Sequence, residues 1–399
     1  MFIKVLCRSY LALLSFWLYG CGNEPINPNL LTIEILIQET DFEILKSKRE
    51  EALEIGMLIS NTRDLVDAQI LINDSSYNAR IRLKGDWLDH LENDKWSFRI
   101  NLKGKTWNGL DEFSIHAPKI RSNLDEYVLH QFCVKEGILA PKYEFVNVVL
   151  NHDTMGLYAL EEHFDQQMLV NNNRDQGVIV KFSENGLWKR RRETGKSFES
   201  FNESFEKAEI RAFSMKQIEK DTALNIQFQK AKDLLEKYQS SNFTASDIFN
   251  LPVLARYYAI TDILRSHHAT IWHNMRFYFD PTVNLLEPVM FDGYTPKGID
   301  EPWYHITHYH FARNEKREQK GSIYDSEKNI FTNDEFVRHY KKELNRMTKR
   351  DYLETILNNI LIKSREYQKA INLIDEDYNY DIDYIYNNAK KIRKAFKFE

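Results

Sequence analysis

Two stretches of strict alternation constrain the fold of this 399-residue chain more than any other feature of its sequence. They run from Tyr77 to Lys84 and from Lys95 to Lys103, and in each one apolar residues alternate with residues that are mostly Arg or Lys. Successive side chains of a β-strand point to opposite faces, so each stretch predicts a strand with one apolar and one cationic face. The apolar faces require a core, and we expect the two strands to be neighbours in one sheet.

The cationic faces of these two strands have two interpretations. Ammonium and guanidinium groups on adjacent strands repel one another unless anions or carboxylates lie among them, which favours a wall that binds phosphate groups. A charged strand face is also typical of the side of a sheet that faces water. The pattern alone leaves both interpretations open.

The rest of the sequence predicts an α+β protein in two parts. Residues 31–185 contain mainly strand patterns and are expected to form a mixed or antiparallel sheet, whereas residues 186–399 contain mainly helical patterns. Between Trp188 and Lys220 the chain is polar and highly charged, which is typical of a mobile insertion. A hydrophobic fraction of 43% supports a folded core, and a net charge of −5 argues against a protein whose main role is to bind nucleic acid.

The first 20 residues have the pattern of a secretory signal peptide, in which two basic residues precede an apolar run at residues 10–18 that is too short to span a bilayer. The run ends in Leu-Tyr-Gly-Cys, which resembles the lipobox of bacterial lipoproteins and implies lipidation of Cys21. We therefore expect residues 21–30 to form a lipidated tether in a bacterial cell envelope, at the outer membrane and facing the periplasm or the surface. The alternatives are an uncleaved signal anchor and a misread start.

Asn274 and Asp292 lie at the two ends of a predicted hairpin, at residues 266–293 of the C-terminal part. An amide and a carboxylate oxygen suit a hard cation such as magnesium, which takes its other ligands from water and from the phosphates of a nucleotide. The alternative is structural, because Asp-Gly is also a common turn and an Asn before a strand is often a cap.

Five features follow one another along the chain: Arg82–Asp86 (RLKGD), Lys95–Ile100 (KWSFRI), Ala140-Pro141 leading into Phe145–Val148, Gly156–Glu162 (GLYALEE), and the His273-Asn274 and Asp292-Gly293 pairs. In this order they resemble the spore-coat-protein-H (CotH) kinase-like family, a divergent branch of the protein-kinase fold. The resemblance runs from about residue 31 to residue 293. It implies a two-lobe kinase-like fold with an N-terminal sheet lobe and a helical C-terminal lobe.

The resemblance also implies an ATP-dependent kinase that uses magnesium, with manganese as an alternative metal. Asn274 and Asp292 would hold the metal, and Asp292 would take the part of the catalytic metal-binding Asp of kinases. The strand that contains Glu161 would lead beside the adenine, which makes Glu161 a candidate for cofactor binding. The cations that would contact phosphate are Arg82, Lys84, Lys95 and Arg99. The partners would be protein substrates with hydroxyl groups, or a surface polymer, and the membrane through the lipid anchor.

The loop before Asn274 departs from the family pattern. Well-studied members carry an Asp there as catalytic base, whereas residues 266–273 of this chain contain no carboxylate. His268 is the candidate that replaces it, because an unperturbed imidazole pKa of about 6.5 suits proton transfer. Asp262 on the preceding helix is a weaker candidate. The alternatives are an inactive kinase-like scaffold that assembles a surface structure or binds an anionic glycan, and a solute-binding or adhesin lipoprotein.

Two smaller features complete the sequence analysis. His305, His308 and His310 lie in an aromatic-rich segment, which is either a transition-metal site or an aromatic surface loop. Cys133 is the one thiol that remains when Cys7 leaves with the signal peptide and Cys21 carries lipid. We therefore expect no internal disulfide.

Overall fold

The computed structural model describes residues 24–59, 64–91, 94–194, 198–293 and 322–399, and within them it contains two separate sheets. The strands are β1 Thr32–Leu36, β2 Val66–Ile72, β3 Ser75–Leu83, β4 Phe98–Leu102, β5 Glu112–His116, β6 Tyr143–Leu150, β7 Asp153–Glu162, β8 Val178–Phe182, β9 Ile210–Ala212, β10 Arg276–Asp280 and β11 Leu285–Val289. This mixture of strands with many helices confirms the predicted α+β class.

Strands β1 to β7 close into a barrel with the order β1-β2-β3-β4-β5-β7-β6. Neighbours are antiparallel except for the closing pair, in which β1 runs parallel to β6. The predicted apolar face fills the interior, since Ala79, Ile81, Leu83, Phe98 and Ile100 are each at most 2% exposed. The cationic face of β3 and β4 therefore lies on the outside of the barrel. Closure of the sheet into a barrel was not expected from the sequence, because alternation reveals faces and not strand partners.

The second sheet has four strands in the order β11-β10-β8-β9. Its strand β8 pairs with β10 in antiparallel register, with Lys181 opposite Arg276. Strand β8 lies within the predicted sheet-rich part, residues 31–185, but outside the barrel, whose last strand β7 ends at Glu162. Strand β8 pairs instead with β10, more than 90 residues later in the chain, and with the short strand β9.

Helices make up most of the C-terminal part, and two longer ones, at residues 39–55 and 124–135, lie in the N-terminal part. The helices are α1 Glu39–Ile55, α2 Leu124–Lys135, α3 Gln166–Asn171, α4 Asn185–Thr194, α5 Phe198–Glu206, α6 Met215–Ile218, α7 Thr222–Gln239, α8 Ala245–Ile248, α9 Leu251–Ile263, α10 Ser322–Phe331, α11 Asp334–Met347, α12 Arg350–Ile371 and α13 Asp383–Phe396. Helix α9 is apolar all round, and 11 of its 13 residues are buried at the centre of the helical part. None of the helices in the described ranges is both long and apolar enough to cross a membrane.

The stretch that we expected to be a mobile insertion is folded against the barrel. Helices α4 and α5 and the edge strand β9 lie within it. Trp188 of α4 is 8% exposed, and its ring centroid lies 4.9 Å from that of Trp87 in the connection between β3 and β4. The guanidinium of Arg191 stacks on both rings. Aromatic burial of this kind explains why a charged sequence adopts a fixed position here.

Residues 24–30, predicted as part of a tether, also pack on the barrel. The backbone N–H of Asn27 donates to Asn147 Oδ1 at 3.1 Å, and Asn147 Nδ2 donates to the Asn27 carbonyl at 2.9 Å. Leu30 is 8% exposed. The predicted signal peptide and the predicted lipidation site, Cys21, lie outside the described residues, as does the His305–His310 segment. Cys133 is buried as a free thiol.

Candidate active site

A cavity of about 450 Å³ lies where the outer face of the barrel meets the second sheet and helix α4. Its size is within the usual range for a small-molecule site, about 300–1,000 Å³. Seven of the residues that the sequence singled out line it: Arg82, Lys84, Arg99, Glu161, His268, Asn274 and Asp292. They come from β3, β4 and β7, or from residues next to these strands, and from the residues before β10 and after β11, so the fold brings the cationic strands and the hairpin ends together.

Lys84 and Glu161 form a buried ion pair at one side of the cavity. Lys84 Nζ lies 3.1 Å from Glu161 Oε1, and the two side chains are 9% and 3% exposed. Burial lowers the pKa of Lys84 to about 8 despite the opposing charge of Glu161. Burial raises the pKa of Glu161, but Lys84 and His116 outweigh burial and hold this pKa well below its usual value. The pair is thus ionised at neutral pH, and the Lys84 charge is held at the cavity wall.

Arg82 and Arg99 lie directly opposite each other on β3 and β4. Like charges in this position are unfavourable, and one carboxylate, Glu112, lies 3.6 Å from Arg99 Nη1. Burial, and next the charge of Arg99, lower the pKa of Arg82 to about 10. Two guanidinium groups and Lys84 therefore concentrate positive charge on one wall of the cavity, which suits an anionic ligand.

Lys95 does not line the cavity. It precedes β4, donates to the Leu157 carbonyl at 3.0 Å and forms an ion pair with Glu24 at 2.5 Å. The alternation that predicted it on the cationic face holds only from Phe98 onward, because Ser97 turns inward and is fully buried. Of the four predicted phosphate contacts, the structure brings three together and leaves Lys95 outside.

Asn274 and Asp292 meet because β10 and β11 are an antiparallel pair, so that the residues before β10 and after β11 lie at the same end. His268, in the 3₁₀ helix His267–Thr270, lies between them. Its Nδ1 is 3.2 Å from Asp292 Oδ1, and its carbonyl accepts a hydrogen bond from Asn274 Nδ2 at 3.0 Å. With the amide nitrogen engaged there, the amide oxygen of Asn274 is the atom suited to a cation.

Arg121 is the partner of Asp292 that the sequence analysis missed. Its Nη1 lies 2.6 Å from Asp292 Oδ1, and the side chains are 11% and 8% exposed. Burial alone would raise the pKa of Asp292, but the charge of Arg121 and the hydrogen bond from His268 lower it far below its usual value. Asp292 is therefore ionised at neutral pH. The backbone of Asp292 has φ 54°, the left-handed region that few residues other than glycine adopt.

His268 responds to the same carboxylate. Burial lowers its pKa, but the hydrogen bond and the charge of Asp292 have the larger combined effect, and the pKa of His268 rises above its usual value. The side chain remains 34% exposed, so its ring is accessible from the cavity.

A second charged group lines the opposite side of the cavity and was not predicted. Glu184 Oε1 lies 3.1 Å from Lys181 Nζ and 3.4 Å from Arg276 Nη2. Aromatic rings of Phe164, Phe213 and Phe291 pack beside it. Arg276 follows Asn274 by two residues, so period two could have placed it on the same side, whereas nothing in the local pattern marks Glu184 or Arg121.

Asp262, the weaker candidate base, lies outside this cavity. It is fully buried, and its carboxylate binds His267 Nε2 at 3.0 Å and the hydroxyl of Tyr340 on α11. Its backbone carbonyl accepts a hydrogen bond from Asn388 of α13 at 2.7 Å. Asp262 therefore ties the loop before Asn274 to the C-terminal helices.

Comparison with known proteins supports the family proposed from the sequence. A family model described as CotH kinase protein matches residues 81–390, which are 310 of the 399 residues. The chain belongs to the CotH kinase family. A search of curated proteins finds no significant match.

The extent of the CotH match differs from the extent of the resemblance that we read from the sequence. It begins 50 residues later, at Ile81 on β3, and continues 97 residues further, through α11, α12 and most of α13. The cavity residues from Arg82 to Asp292 all lie inside the matched region. The C-terminal helices, in which the sequence offered no motif, are thus part of the CotH unit, and Tyr340 and Asn388 show how they hold the loop that carries His268.

Proposed function

We propose that this CotH kinase family member is an ATP- and magnesium-dependent kinase that phosphorylates hydroxyl groups on envelope or surface proteins. The observation that carries the proposal is the single cavity in which Lys84, Arg82 and Arg99 face the same space as Asn274 and Asp292. Phosphoryl transfer depends mainly on positioning and on neutralising charge, and both kinds of residue are needed for it.

The cationic wall is suited to the phosphates of ATP. Lys84 is held by Glu161, and protein kinases use a Lys–Glu ion pair of this kind to place the lysine on the phosphates. Arg82 and Arg99 lie directly opposite each other on β3 and β4, so a polyanion bound at this wall would reduce the repulsion between the two like charges. This is a physical reason to expect phosphate rather than a neutral ligand.

The hairpin ends fit a magnesium ion. Within the described residues no three His, Cys, Asp or Glu side chains converge on a metal position. Magnesium usually takes one or two protein ligands and completes its shell with water and phosphate oxygens, so the Asn274 amide and the Asp292 carboxylate are a suitable pair. When bound, the metal would neutralise charge on the phosphates. Asp292 stays ionised because of Arg121, and is therefore ready to act as a ligand.

His268 is the residue that can accept the proton in this reaction. The substrate oxygen forms a bond to the γ-phosphorus as the bond to the β-phosphate oxygen breaks, and ADP leaves. The hydroxyl proton goes to His268 Nε2, while Nδ1–H donates to Asp292 and holds the ring in place. A neutral His268 is required before the step, and because its pKa is raised, a higher pH is needed to reach the neutral form than for an ordinary imidazole.

The cellular setting of the proposal comes from the sequence. A signal peptide and lipidation at Cys21 would place the protein in the bacterial cell envelope, so its substrates would be envelope or surface proteins. Manganese could replace magnesium at an oxygen-ligand site.

An inactive scaffold is the second candidate, and one observation favours it. Asp262, the carboxylate nearest to Asn274 on its N-terminal side, is buried and bound to Tyr340 and His267. The catalytic loop thus lacks the usual base, and the cationic wall would then serve to hold an anionic glycan or another polyanion.

Calorimetric titration of the full-length chain with ATP and magnesium tests the first candidate. Wild type should bind MgATP, and Asp292→Ala should weaken that binding by about 100-fold, since a charged ligand is removed from a buried position. Asp67→Ala, on the outer surface of the barrel, is the matched control and should bind as wild type. Absence of binding by wild type would contradict the proposal.

An assay of phosphoryl transfer distinguishes the kinase hypothesis from the scaffold hypothesis. Labelled phosphate from γ-labelled ATP should appear on added envelope protein with wild type and not with Asp292→Ala. If wild type binds MgATP without transfer, and Asp292→Ala restores envelope function in cells that lack the protein, the scaffold is correct.

A further inference from the structure

Glu126 of α2 is a buried carboxylate that grips the backbone beside the metal-binding pair. It is 1% exposed. Its Oε1 accepts a hydrogen bond from the Asp292 N–H at 2.9 Å, and its Oε2 accepts one from the Gly293 N–H at 3.0 Å. One side chain thus accepts hydrogen bonds from two consecutive backbone N–H groups in the turn after the second sheet. The contact spans 166 residues of chain and is not explained by local structure.

The conformation of this turn needs such a restraint. Asp292 has φ 54°, which an L-residue adopts only when its surroundings hold it there. At Gly293 a Cβ atom would lie 2.1 Å from Leu129 Cδ2, so α2 approaches the turn closely. Because the backbone N–H of Asp292 is held on the α2 side, its carboxylate is directed to Arg121 and His268 across the cavity.

His130 fixes Glu126 in turn. Its Nε2 lies 2.9 Å from Glu126 Oε1 and its Nδ1 lies 2.9 Å from the Pro141 carbonyl. A carbonyl and an ionised carboxylate only accept hydrogen bonds, so both ring nitrogens carry a proton and the ring is an imidazolium. Burial opposes this charge, but Glu126 raises the pKa of His130 above its usual value. The Glu126 carboxylate therefore has a fixed position and a buried counter-ion.

We propose that Glu126 and His130 are positioning residues for the metal site: they hold the Asp292–Gly293 turn so that the Asp292 carboxylate faces Asn274. The proposal rests on the proposed function for the identity of the ligand. If the hydrogen bonds between Glu126 and the turn are weakened, a higher magnesium concentration should be needed for ATP binding. The binding of ATP in the absence of metal should not change.

Glu126→Gln is the first test, since glutamine keeps the shape but has one oxygen for two backbone donors. At a fixed ATP concentration, the magnesium concentration for half-saturation should rise about tenfold, as expected for loss of one hydrogen bond to a charged group. Metal-free ATP binding should be unchanged. Glu136→Gln is the matched control, because Glu136 directly follows the same helix, is 10% exposed and binds Arg346 and Tyr352 away from the cavity.

Hydrogen exchange reports on the grip directly. The amides of Asp292 and Gly293 should exchange faster in Glu126→Gln than in Glu136→Gln. If Glu126→Gln does not fold, His130→Gln replaces it, because its one amide nitrogen cannot take the positions of the two ring nitrogens that bind Glu126 and Pro141. It should give the same two changes in smaller size.

The outcomes separate the two proposals. If wild type binds MgATP and Glu126→Gln has an unchanged magnesium requirement, the positioning role is wrong and the proposed function stands. If wild type binds no MgATP, the proposed function is wrong and the metal role falls with it. If the Asp292 and Gly293 amides exchange at the same rate in the variants as in wild type, Glu126 does not restrain the turn, whether or not the protein binds MgATP.

Discussion

The cations of β3 and β4 belong to one alternating pattern but lie in two different settings. At one end of the strands, Arg80 and Lys103 share Asp67, and their side chains are 45% and 44% exposed. At the other end, the Lys84 side chain is 9% exposed and binds a carboxylate that is 3% exposed. Both groups lie on the outside of the barrel. Only the second is covered by the helical part of the molecule.

This difference shows that the two interpretations of the cationic face need not apply to the whole length of the strands. The alternation along a strand shows on which face each side chain lies. It does not show which other part of the protein covers that face. In water an ion pair contributes little, whereas a buried charge needs a partner or a ligand. The solvated interpretation therefore fits Arg80 and Lys103, and the phosphate-wall interpretation is proposed for Arg82, Lys84 and Arg99.

The largest effect is expected at His268, which has a solvent-exposed counterpart on the barrel. His268 Nδ1 lies 3.2 Å from Asp292, and His152 Nδ1 lies 2.9 Å from Glu34 with a side chain that is 81% exposed. His268→Asn should lower kcat by about 10²–10⁴-fold, the usual contribution of a general base. His152→Asn should have no effect on kcat. An equal loss in both variants, or in neither, would contradict the assignment of His268 as base.

The pH dependence of the rate sharpens this comparison. His268 must be neutral to accept a proton, and its pKa is raised, so kcat/KM should increase with pH and reach half its maximum above about pH 6.5. The His268→Asn variant should lose this rise. A rate that falls over the same pH range would show that another group is the base.

The next largest effect is expected from a pair of matched lysines. Lys84→Met leaves Glu161 buried without its main partner, which should lower the free energy of unfolding by about 3–5 kcal/mol and abolish MgATP binding. Lys103→Met removes an exposed contact to Asp67 and should change neither the denaturation midpoint nor MgATP affinity. Urea unfolding and calorimetry measure the two quantities. If the two substitutions change stability and MgATP affinity equally, the covered and the solvent-exposed ends of the strands do not differ in function.

Much of the fold could be predicted from residues near one another in the sequence. The alternation on β3 and β4 and the β10–β11 hairpin are local patterns, and the structure confirms them. Barrel closure depends on β1 pairing with β6, which are more than 100 residues apart, and β8 pairs with β10 instead of the barrel. Such pairings depend on tertiary packing, which no local pattern reveals.

The site divides in the same way. Lys84, Asn274 and Asp292 were found because each is attached to a strand whose pattern is clear. Arg121 was missed because it lies in a short 3₁₀ helix, and Glu126 because it looks like any acidic residue on a helix. Their roles come from contacts across more than 160 residues of chain.

A moderate effect is expected at Arg82, where one substitution should increase stability and decrease MgATP affinity. Replacing it by glutamine removes one of two like charges that face each other on β3 and β4, so stability should rise by about 0.2–1 kcal/mol. MgATP affinity should fall about tenfold with the loss of a charged contact. Urea unfolding and calorimetry on Arg82→Gln, with Arg80→Gln as control, check both signs. If Arg82→Gln is less stable and binds MgATP as tightly as wild type, Arg82 belongs with the solvent-exposed cations Arg80 and Lys103 and not with the phosphate wall.

The smallest effect is expected at Lys95, which the sequence assigned to the phosphate wall and the structure places beside Glu24. Glu24 is 36% exposed, and such pairs contribute at most about 1 kcal/mol, so Lys95→Met should change the free energy of unfolding by no more than that. MgATP affinity should equal that of wild type, because Lys95 does not line the cavity. A loss of affinity similar to that of Arg82→Gln would mean that the alternation, and not the covered end of the barrel, defines the phosphate site.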